Sequence, residues 1–523
     1  MFTAIGISVS DLNAKRRKVI RRDGKQILLI AHEGGIYAIA NRCPHEGYPL
    51  SEGTEGPGCV LTCNWHNWKF DLQTGEALVG RDPLRTYPVH IAGGEIHLDL
   101  SDPTAGELRA RALKGLEAAV QDVDMPRIAR EVARLERAGF DARDAMIHAI
   151  VFRNAHLEDG MTHAYGAAAD WLLLSENAST PEKRLLALIE PIYHLAWDTQ
   201  GADSFPYADG VRDWDANGFV SAVEAEREAD AITFVCGAVR DGIAYADLMP
   251  VFGATALAHY ADFGHSAIYA VNTGTLIERL GEEAKLPLLL ALTRCIVRAS
   301  REERLSEFRF YDKALLRWSG GGDVPIVASD LVRLSIDGIL ERVLQSARRP
   351  NAELFDALMG AAAWNLMHFD IAVDQASDNA IADNVSWLDF SHALTFASAA
   401  RQICGVRPDL WPRALLQMAL FVGRNAKYVR DTNDEARWEV KDRDAFLVRE
   451  TEALYDHGSP EPIIACHRVK MIGALKTELA AAPDAPWADA MCAGVNRFLN
   501  SPIKRHHGLR TASQALDFVT KEA

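Results

Sequence analysis

Two cysteines and two histidines near the start of the 523-residue chain constrain its fold more than any other feature. Cys43 and His45 form a CxH pair, and Cys63 and His66 form a CxxH pair farther along the chain. Thiolates and imidazoles are strong metal ligands, but four of them can share one site only where the chain brings them together. The pattern therefore predicts two neighbouring loops that meet at a metal centre.

The residues around these pairs bear on which metal centre it is. Tetrahedral zinc accepts the same four side chains and is the alternative to an iron–sulfur cluster. Pro44 stiffens the first loop, and the segment KFDLQTG follows the second loop as a strand and a turn. With these features, the first 100 residues resemble Rieske ferredoxins. The resemblance implies a 2Fe-2S cluster with one iron on the two cysteines and the other on the two histidines.

Four aromatic residues indicate the Rieske class without a disulfide. Respiratory-complex Rieske proteins carry an extra cysteine in each loop, where this chain has Tyr48 and Trp65. Those proteins also hydrogen-bond the cluster through a serine and a tyrosine, where this chain has Trp68 and Phe70. Fewer donors stabilise the reduced cluster less, so a low reduction potential is expected. Asn67 replaces the usual glycine, and asparagine tolerates a left-handed backbone.

The character of the sequence changes after Leu100. Up to that point, short β-prone segments alternate with glycine-rich turns, which predicts a small antiparallel β-domain. Beyond it, alanine, leucine and charged residues recur with helical periodicity. Asp102 before Pro103 is typical of a helix N-cap followed by a first-turn proline. The predicted fold is multidomain, with an all-β Rieske domain at 1–101 and a large all-α domain at 102–523.

Charge and cysteine content argue against several classes of protein. The chain has 72 acidic and 56 basic residues and a net charge of −16, which makes nucleic acid an unexpected partner. Its apolar runs are shorter than the roughly 18 residues of a membrane span, and its first residues are typical of a strand rather than a signal peptide. Eight cysteines without a dense framework fit a reducing compartment, so a cytoplasmic protein is expected.

The helical domain is expected to hold an electron acceptor, because a Rieske cluster transfers single electrons and has no open coordination site. Ring-hydroxylating oxygenases provide such an acceptor in an iron site with a carboxylate and two histidines. His259 and His265 have the matching spacing, but Ala256 occupies the carboxylate position. The helical periodicity also differs from the curved sheet of those enzymes, so another site is expected.

A repeated D-F-small-H motif supplies candidate ligands. The first copy contains Asp262 and His265, and the second contains Asp389 and His392. An acid and a histidine three residues apart share one helix face, as in metal-binding helical bundles. Asp389 also follows Ser386 by three residues, so a capping box explains its position equally well.

The region from about 150 to 475 resembles the questin-oxidase-like family of metal-dependent oxygenases. The resemblance lies in RNAHLEDGMTHAYGAAADWLL, FGHSAIYAV, SHALTFASAA and CHRVKM. It implies a non-haem iron centre with the ligands His163, His265, His392, His467 and Lys470. A protonated lysine cannot bind a cation, so Lys470 would have to be carbamylated or deprotonated.

These observations predict an oxidoreductase. A flavin reductase or a ferredoxin would reduce the Rieske cluster, and the electrons would pass to the helical iron centre for O2-dependent oxygenation of a small organic substrate. The cluster must approach its acceptor closely, in its own chain or a neighbouring one, so homo-oligomerisation is a further expectation. Two alternatives stay open: an electron carrier whose helical domain only docks partners, and a redox-sensing regulator.

Overall fold

The chain forms two compact units, Met1–Arg111 and Ala112–Ala523. A computed structural model describes residues 2–258, 261–301, 304–431, 434–504 and 506–522, without the side chains of 261–263. Among the helices of these ranges, none combines the length and the apolarity that crossing a membrane requires.

The first unit is built from β-strands, as predicted. Three antiparallel sheets have the strand orders 1-10-9, 2-3-4 and 5-6-7-8 along the chain. One short helix, α1 (Val9–Lys15), follows the first strand. The strands are β1 (Phe2–Ser8), β2 (Arg17–Arg22), β3 (Lys25–His32), β4 (Gly35–Ala40), β5 (Thr54–Gly56), β6 (Val60–Thr62), β7 (Lys69–Asp71), β8 (Ala77–Val79), β9 (Val89–Ala92) and β10 (Glu95–Asp99).

Strand β3 is the centre of this unit because it is buried on both faces. Leu28 and Ile30 pack into a core that also contains Cys43 and Cys63. Ile27 and the other alternate residues of β3 pack into a second core with β1 and β10. Successive side chains of a strand point to opposite faces, so one strand serves both cores. The predicted cluster loops therefore stand on a packed apolar base.

The second unit is helical, which confirms the predicted fold class. Two large apolar cores run through it. Its helices are α2 (Ala105–Gln121), which crosses the boundary between the units, α3 (Met125–Arg137), α4 (Arg143–Arg153), α5 (His163–Glu176), α6 (Pro181–Asp198), α7 (Ala216–Glu224), α8 (Glu228–Arg240), α9 (Tyr245–Ala256), α10 (Ala261–Leu280), α11 (Glu282–Arg298), α12 (Tyr311–Arg317), α13 (Ile336–Leu344), α14 (Asn351–His368), α15 (Ile371–Gln375), α16 (Trp387–Val406), α17 (Trp411–Asn425), α18 (Glu435–Trp438), α19 (Arg443–Leu454), α20 (Pro462–Ala481), α21 (Ala488–Asn500) and α22 (Gly508–Lys521).

Four of these helices form a closed ring. Helix α5 packs against α10 and α20, and α16 packs against the same two helices. Most side chains of α5, α16 and α20 are buried, on every side of each helix. Helices that are apolar all round lie inside a protein. The ring is therefore an interior bundle enclosed by the other helices.

The first helix after the β-sheets begins later than predicted. The Thr104 hydroxyl accepts a hydrogen bond from Glu107 N at 3.3 Å, and the Glu107 carboxylate accepts one from Thr104 N at 2.8 Å. This is a capping box. Asp102 is instead paired with Arg85 at 2.7 Å and Lys25 at 3.2 Å. The prediction of an Asp102 cap was wrong because these two cations hold its carboxylate.

The segment 202–215 has no regular secondary structure and contacts α8. Gly237 permits this contact, since a Cβ there would lie 1.7 Å from the Arg212 carbonyl oxygen. The Arg212 N–H donates to the Thr233 carbonyl oxygen at 3.0 Å and fixes the segment on the helix. The segment can follow this path only because residue 237 of α8 has no side chain.

Gly237→Ala is therefore expected to lower the free energy of unfolding by about 2–3 kcal/mol, because the Arg212 backbone must move away. Gly405→Ala is the matched control, since a Cβ there meets open space within α16. Alanine favours a helix, so this control should keep or slightly raise stability. Thermal denaturation followed by circular dichroism compares the two variants, and equal midpoints would contradict the proposed contact.

Candidate metal centres

The first predicted cluster loop follows β4 and closes through two backbone hydrogen bonds. Cys43 N donates to the Tyr48 carbonyl oxygen at 2.9 Å, and Gly47 N donates to the Cys43 carbonyl oxygen at 2.8 Å. Gly47 has a φ of 76°, which glycine adopts without steric cost. The loop buries Cys43 and leaves the side chain of His45 27% exposed.

The second loop lies between β6 and β7 and repeats this pattern. Cys63 N donates to the Trp68 carbonyl oxygen at 2.7 Å, and Asn67 N donates to the Cys63 carbonyl oxygen at 2.9 Å. Asn67 has a φ of 59°, the left-handed conformation that the sequence predicted for it. Here too the cysteine is buried, while the side chain of His66 is 40% exposed.

The loops bring the four side chains together. The His45 and His66 ring centroids lie 4.7 Å apart. Burial raises the pKa of the Cys43 thiol to about 11, and the adjacent Cys63 thiol adds to this rise. Two thiols buried side by side lose their protons readily only when a cation binds between them. The donor set of two buried sulfurs and two outer imidazoles fits a 2Fe-2S cluster.

Aromatic rings stack on both histidines. Trp68 lies 4.6 Å from His45 with 12° between the ring planes, and Trp65 lies 5.0 Å from His66 with 22°. The Tyr48 ring is 5.5 Å from Trp65. The positions that carry a disulfide in other Rieske proteins are thus filled by an aromatic pair, which steadies the second loop without a covalent bond.

Four of the predicted iron ligands converge inside the ring of α5, α10, α16 and α20. The Nε2 atoms of His265 and His163 are 3.0 Å apart, and those of His467 and His392 are 3.1 Å apart. Ring centroids of neighbouring pairs lie between 4.4 and 6.0 Å apart. Each histidine comes from a different helix, so the ring of helices assembles the site. We call these four residues the histidine cluster.

Burial keeps three histidines of the cluster neutral. It lowers the pKa of His163, His392 and His467 well below the ordinary value, and the neighbouring histidines and Lys470 lower it further. Ligand atoms of these three histidines lie within 4.8 Å of one another. Metal–nitrogen bonds are about 2.0–2.1 Å long, so one ion can bridge nitrogens at such separations. Neutral imidazoles suit iron, copper, nickel or zinc.

Lys470 lies one turn beyond His467 on α20 and is 3% exposed. Its Nζ has no hydrogen-bond partner among the described residues, and burial lowers its pKa. Gly166 of α5 lies beside it, since a Cβ at that position would be in van der Waals contact with Nζ at 3.8 Å. A buried amine without a partner fits the neutral or carbamylated form that metal binding would require.

Asp389, one of the two predicted acids, does not join the histidine cluster. Asp389 forms a capping box with Ser386, whose N–H donates to Oδ2 at 2.8 Å. Arg424 donates to the other carboxylate oxygen at 3.2 Å. Both oxygens are engaged at the start of α16, which corrects the assignment of Asp389 as a metal ligand. The side chain of Asp262 lies outside the described residues, as does His259.

Sequence reasoning did not select His194, which is buried on α6 near the cluster. Burial, and then the charge of Lys470, lowers the pKa of His194 to about 3. Its Nε2 lies 3.5 Å from Asp198, whose carboxylate also accepts from Ala164 N at the start of α5. The available signal was the spacing of Glu190, His194 and Asp198, which puts all three on one helix face.

A further buried acid lies opposite α20. Asp170 of α5 packs against Gly473, where a Cβ would lie 2.1 Å from its Oδ1. Burial raises the pKa of Asp170 to about 7, and the charges of Lys470 and Lys476 oppose this rise. Asp170 lies seven residues after His163 on α5. It therefore faces α20 as well, about two turns farther along the helix.

Two thiols and two imidazoles on paired loops of a small antiparallel β-unit define a Rieske iron–sulfur protein. The family described as Rieske 2Fe-2S domain matches residues 5–88. The chain belongs to this family through its first unit.

Proteins similar to the first unit include components of dioxygenase systems. The 3-phenylpropionate/cinnamic acid dioxygenase ferredoxin subunit of Escherichia coli is 39% identical over 88 residues, which are 16% of this chain and 83% of that protein. The ferredoxin of carbazole 1,9a-dioxygenase from Nocardioides aromaticivorans is 25% identical over 19% of this chain and 99% of its own, with a TM-score of 0.18. The terminal oxygenase of that system is 28% identical over 17% of this chain and 27% of its own, with a TM-score of 0.16.

The conformation of Asn67 gives a test of the second loop. Asn67→Gly should preserve the cluster, whereas Asn67→Val should lose part of it, because a β-branched residue in the left-handed region costs about 1–2 kcal/mol or more. Visible absorbance and iron analysis of the purified full-length chain measure the cluster content. Equal content in the two variants would show that this backbone conformation is not required.

The raised pKa of Asp170 gives a pH dependence. Between the ordinary aspartate value of about 3.9 and about 7, the folded chain binds a proton that the unfolded chain has lost. Wild-type stability should therefore fall relative to Asp170→Asn as the pH rises through this window, and then level off. Guanidinium denaturation midpoints at several pH values test this, with exposed Asp444→Asn as the control. A difference that grows in the opposite direction would contradict the buried state of Asp170.

Proposed function

We propose that this chain is a Rieske oxygenase whose helical unit holds a non-haem iron centre for O2-dependent oxygenation of a small organic molecule. The observation that carries the proposal is the convergence of four histidines from four helices of one ring, two of which, His392 and His467, are buried. A Rieske cluster in the same chain needs an electron acceptor, and this is the candidate metal site of the helical unit among the described residues.

The first unit supplies electrons in this proposal. Cys43 and Cys63 would hold the inner iron of the cluster, and His45 and His66 the outer one. The two histidines are the more exposed pair, so they offer the shortest path for an electron to enter or leave. The relatives named as ferredoxin subunits of dioxygenases support this role. The electron donor would be a flavin reductase or a ferredoxin.

A low reduction potential fits this direction of electron flow. Phe70 is fully buried and has no hydroxyl to donate to the cluster, and Trp68 presents a ring to His45 instead. A cluster with few donors gives up its electron more readily. The first unit would then pass electrons to an acceptor of higher potential.

The helical unit supplies the binding site for O2 chemistry. His163, His265, His392 and His467 would hold the iron, which binds and activates O2 when electrons are supplied. The enclosing helices bury His392 and His467, and shielding from water would protect reactive species from side reactions. Lys470, as a neutral amine or a carbamate, would complete the ligand set. The resemblance to questin-oxidase-like oxygenases that the sequence predicts lies in the segments that carry these histidines, and it would imply the same ligand set.

The alternative is an electron carrier whose helical unit is a docking module without chemistry. The observation in its favour is that the 39% identical relative is named as a ferredoxin subunit. The two functions differ in what the histidine cluster binds, so the metal content separates them.

Iron analysis of the full-length chain provides the test. If the oxygenase proposal is correct, each chain should contain more iron than the about two atoms of one cluster. His265→Ala and His392→Ala should each lose the additional iron and keep the Rieske electron paramagnetic resonance signal. His148→Ala is the matched control, because His148 lies on α4 and pairs with Glu117 at 2.9 Å. Two irons per chain in the wild type, with the same number in His265→Ala and His392→Ala, would favour the electron carrier.

A further inference from the structure

Helix α22 is fastened to the rest of the helical unit by polar contacts. The buried Arg510 donates to the carbonyl oxygens of Ala376 and Asp374, both at 2.9 Å. One turn later, Gln514 donates to the Asn379 carbonyl oxygen at 2.7 Å. These contacts fix the orientation of the helix, because the face that carries Arg510 and Gln514 must be turned toward the unit.

The opposite face of α22 is apolar and exposed. Leu509, Ala512, Leu516 and Val519 follow one another at spacings of three, four and three residues, which places them on one side of a helix. The three larger side chains are 61–74% exposed, and Ala512 is exposed as well. We call these four residues the apolar seam.

This arrangement is the reverse of an ordinary amphipathic helix. Such a helix turns its apolar side to the core and its polar side to water. In α22 the one buried residue is an arginine, and each of its apolar side chains is exposed in the structure described. A continuous exposed apolar stripe marks an interaction surface, because burying it is favourable. The apolar seam therefore requires a partner.

The apolar seam is complementary to itself. If two copies pair in antiparallel orientation about an axis at position 514, Leu509 of one copy lies opposite Val519 of the other, and Ala512 lies opposite Leu516. Each contact then occurs twice, as in every interface with twofold symmetry. A small residue opposite a large one lets the two helices interdigitate, and spacings of three and four are typical of paired helices.

Charge also favours a second copy as the partner. The chain has a net charge of −16, so two copies repel one another unless they meet through an uncharged surface. The apolar seam carries no charge, and neither do Ser513, Ala515 and Thr520 on its flanks. Antiparallel pairing further places Glu522 at the end of one helix beside the positive N-terminal end of the other.

The charges of α22 argue against a membrane surface as the partner. Amphipathic helices that bind membranes carry many lysines and arginines on the polar face. In α22 that face has two cations, and both are engaged within the chain. Arg510 binds backbone carbonyl groups, and Lys521 pairs with Asp517 at 2.6 Å.

We propose that α22 is a dimerisation helix, whose apolar seam binds the same seam of a second copy of this chain in antiparallel orientation. This assigns a surface to the homo-oligomer that the sequence predicts. The inference is independent of the proposed function, because no residue of the histidine cluster takes part.

Analytical ultracentrifugation of the full-length chain tests the proposal. The expected mass is twice the 57.5 kDa of one chain, falling to the monomer on dilution. Leu516→Glu should raise the dissociation constant by about a hundredfold or more, because the twofold symmetry buries two unpaired charges in each dimer. Leu316→Glu is the matched control, since Leu316 of α12 is a leucine that is likewise exposed. This control should dimerise as the wild type does.

A pair of variants tests the antiparallel register. Ala512→Glu and Leu516→Lys should each be monomeric alone. Mixed in equal amounts, they should form a heterodimer, because the new glutamate then lies opposite the new lysine and the other contact of that pair stays as in the wild type. Recovery of the dimer in the mixture also shows that both variants are folded.

Several outcomes would overturn the proposal. They are a wild-type chain that stays monomeric at all concentrations, a dimer that Leu516→Glu leaves intact, and a mixture of the two register variants that stays monomeric. A monomeric wild-type chain that binds vesicles of phosphatidylglycerol would assign the apolar seam to a membrane surface instead.

Discussion

The burial of several imidazoles and an amine at one point governs the design of the helical unit. Such groups lose their hydration when the four helices close around them, and this costs free energy unless another partner compensates. The fold meets the cost in part by keeping the imidazoles neutral and facing one another. A metal ion would compensate the remainder, so the stability of this interior and its chemistry depend on the same contacts.

The Rieske unit was the more predictable part because its information is local. Each loop places its cysteine, its histidine and the residue that closes it within five positions, so this spacing and the adjacent residues specify the site. The left-handed Asn67 is an example, since its own backbone preference decides its role. The prediction that Asp102 caps a helix was wrong for the opposite reason. Its local sequence favours a helix cap, but Arg85 and Lys25 hold its carboxylate from elsewhere in the unit.

For the helical site, the sequence predicted the types of ligand but not which helices bring them together. His163 and His467 are far apart in sequence, and no local pattern says that α5 and α20 lie side by side. The repeated D-F-small-H motif shows the limit: His392 reaches the cluster, whereas Asp389 of the same motif caps its helix and binds Arg424. His194 was missed because the helix that carries it shows no motif, only a four-residue spacing that many surface helices share.

Helices α5 and α20 run in parallel, and each contains a glycine against which a neighbouring side chain packs. A Cβ at Gly473 would lie 2.1 Å from Oδ1 of Asp170, and a Cβ at Gly166 would lie 2.9 Å from the Tyr269 ring. Neither glycine offers a functional group, yet any larger residue would occupy space that the neighbouring side chain needs. Two kinds of residue would therefore tolerate few substitutions in this protein. The first kind has a functional side chain. The second kind is a glycine whose lack of a side chain leaves room for a neighbouring residue.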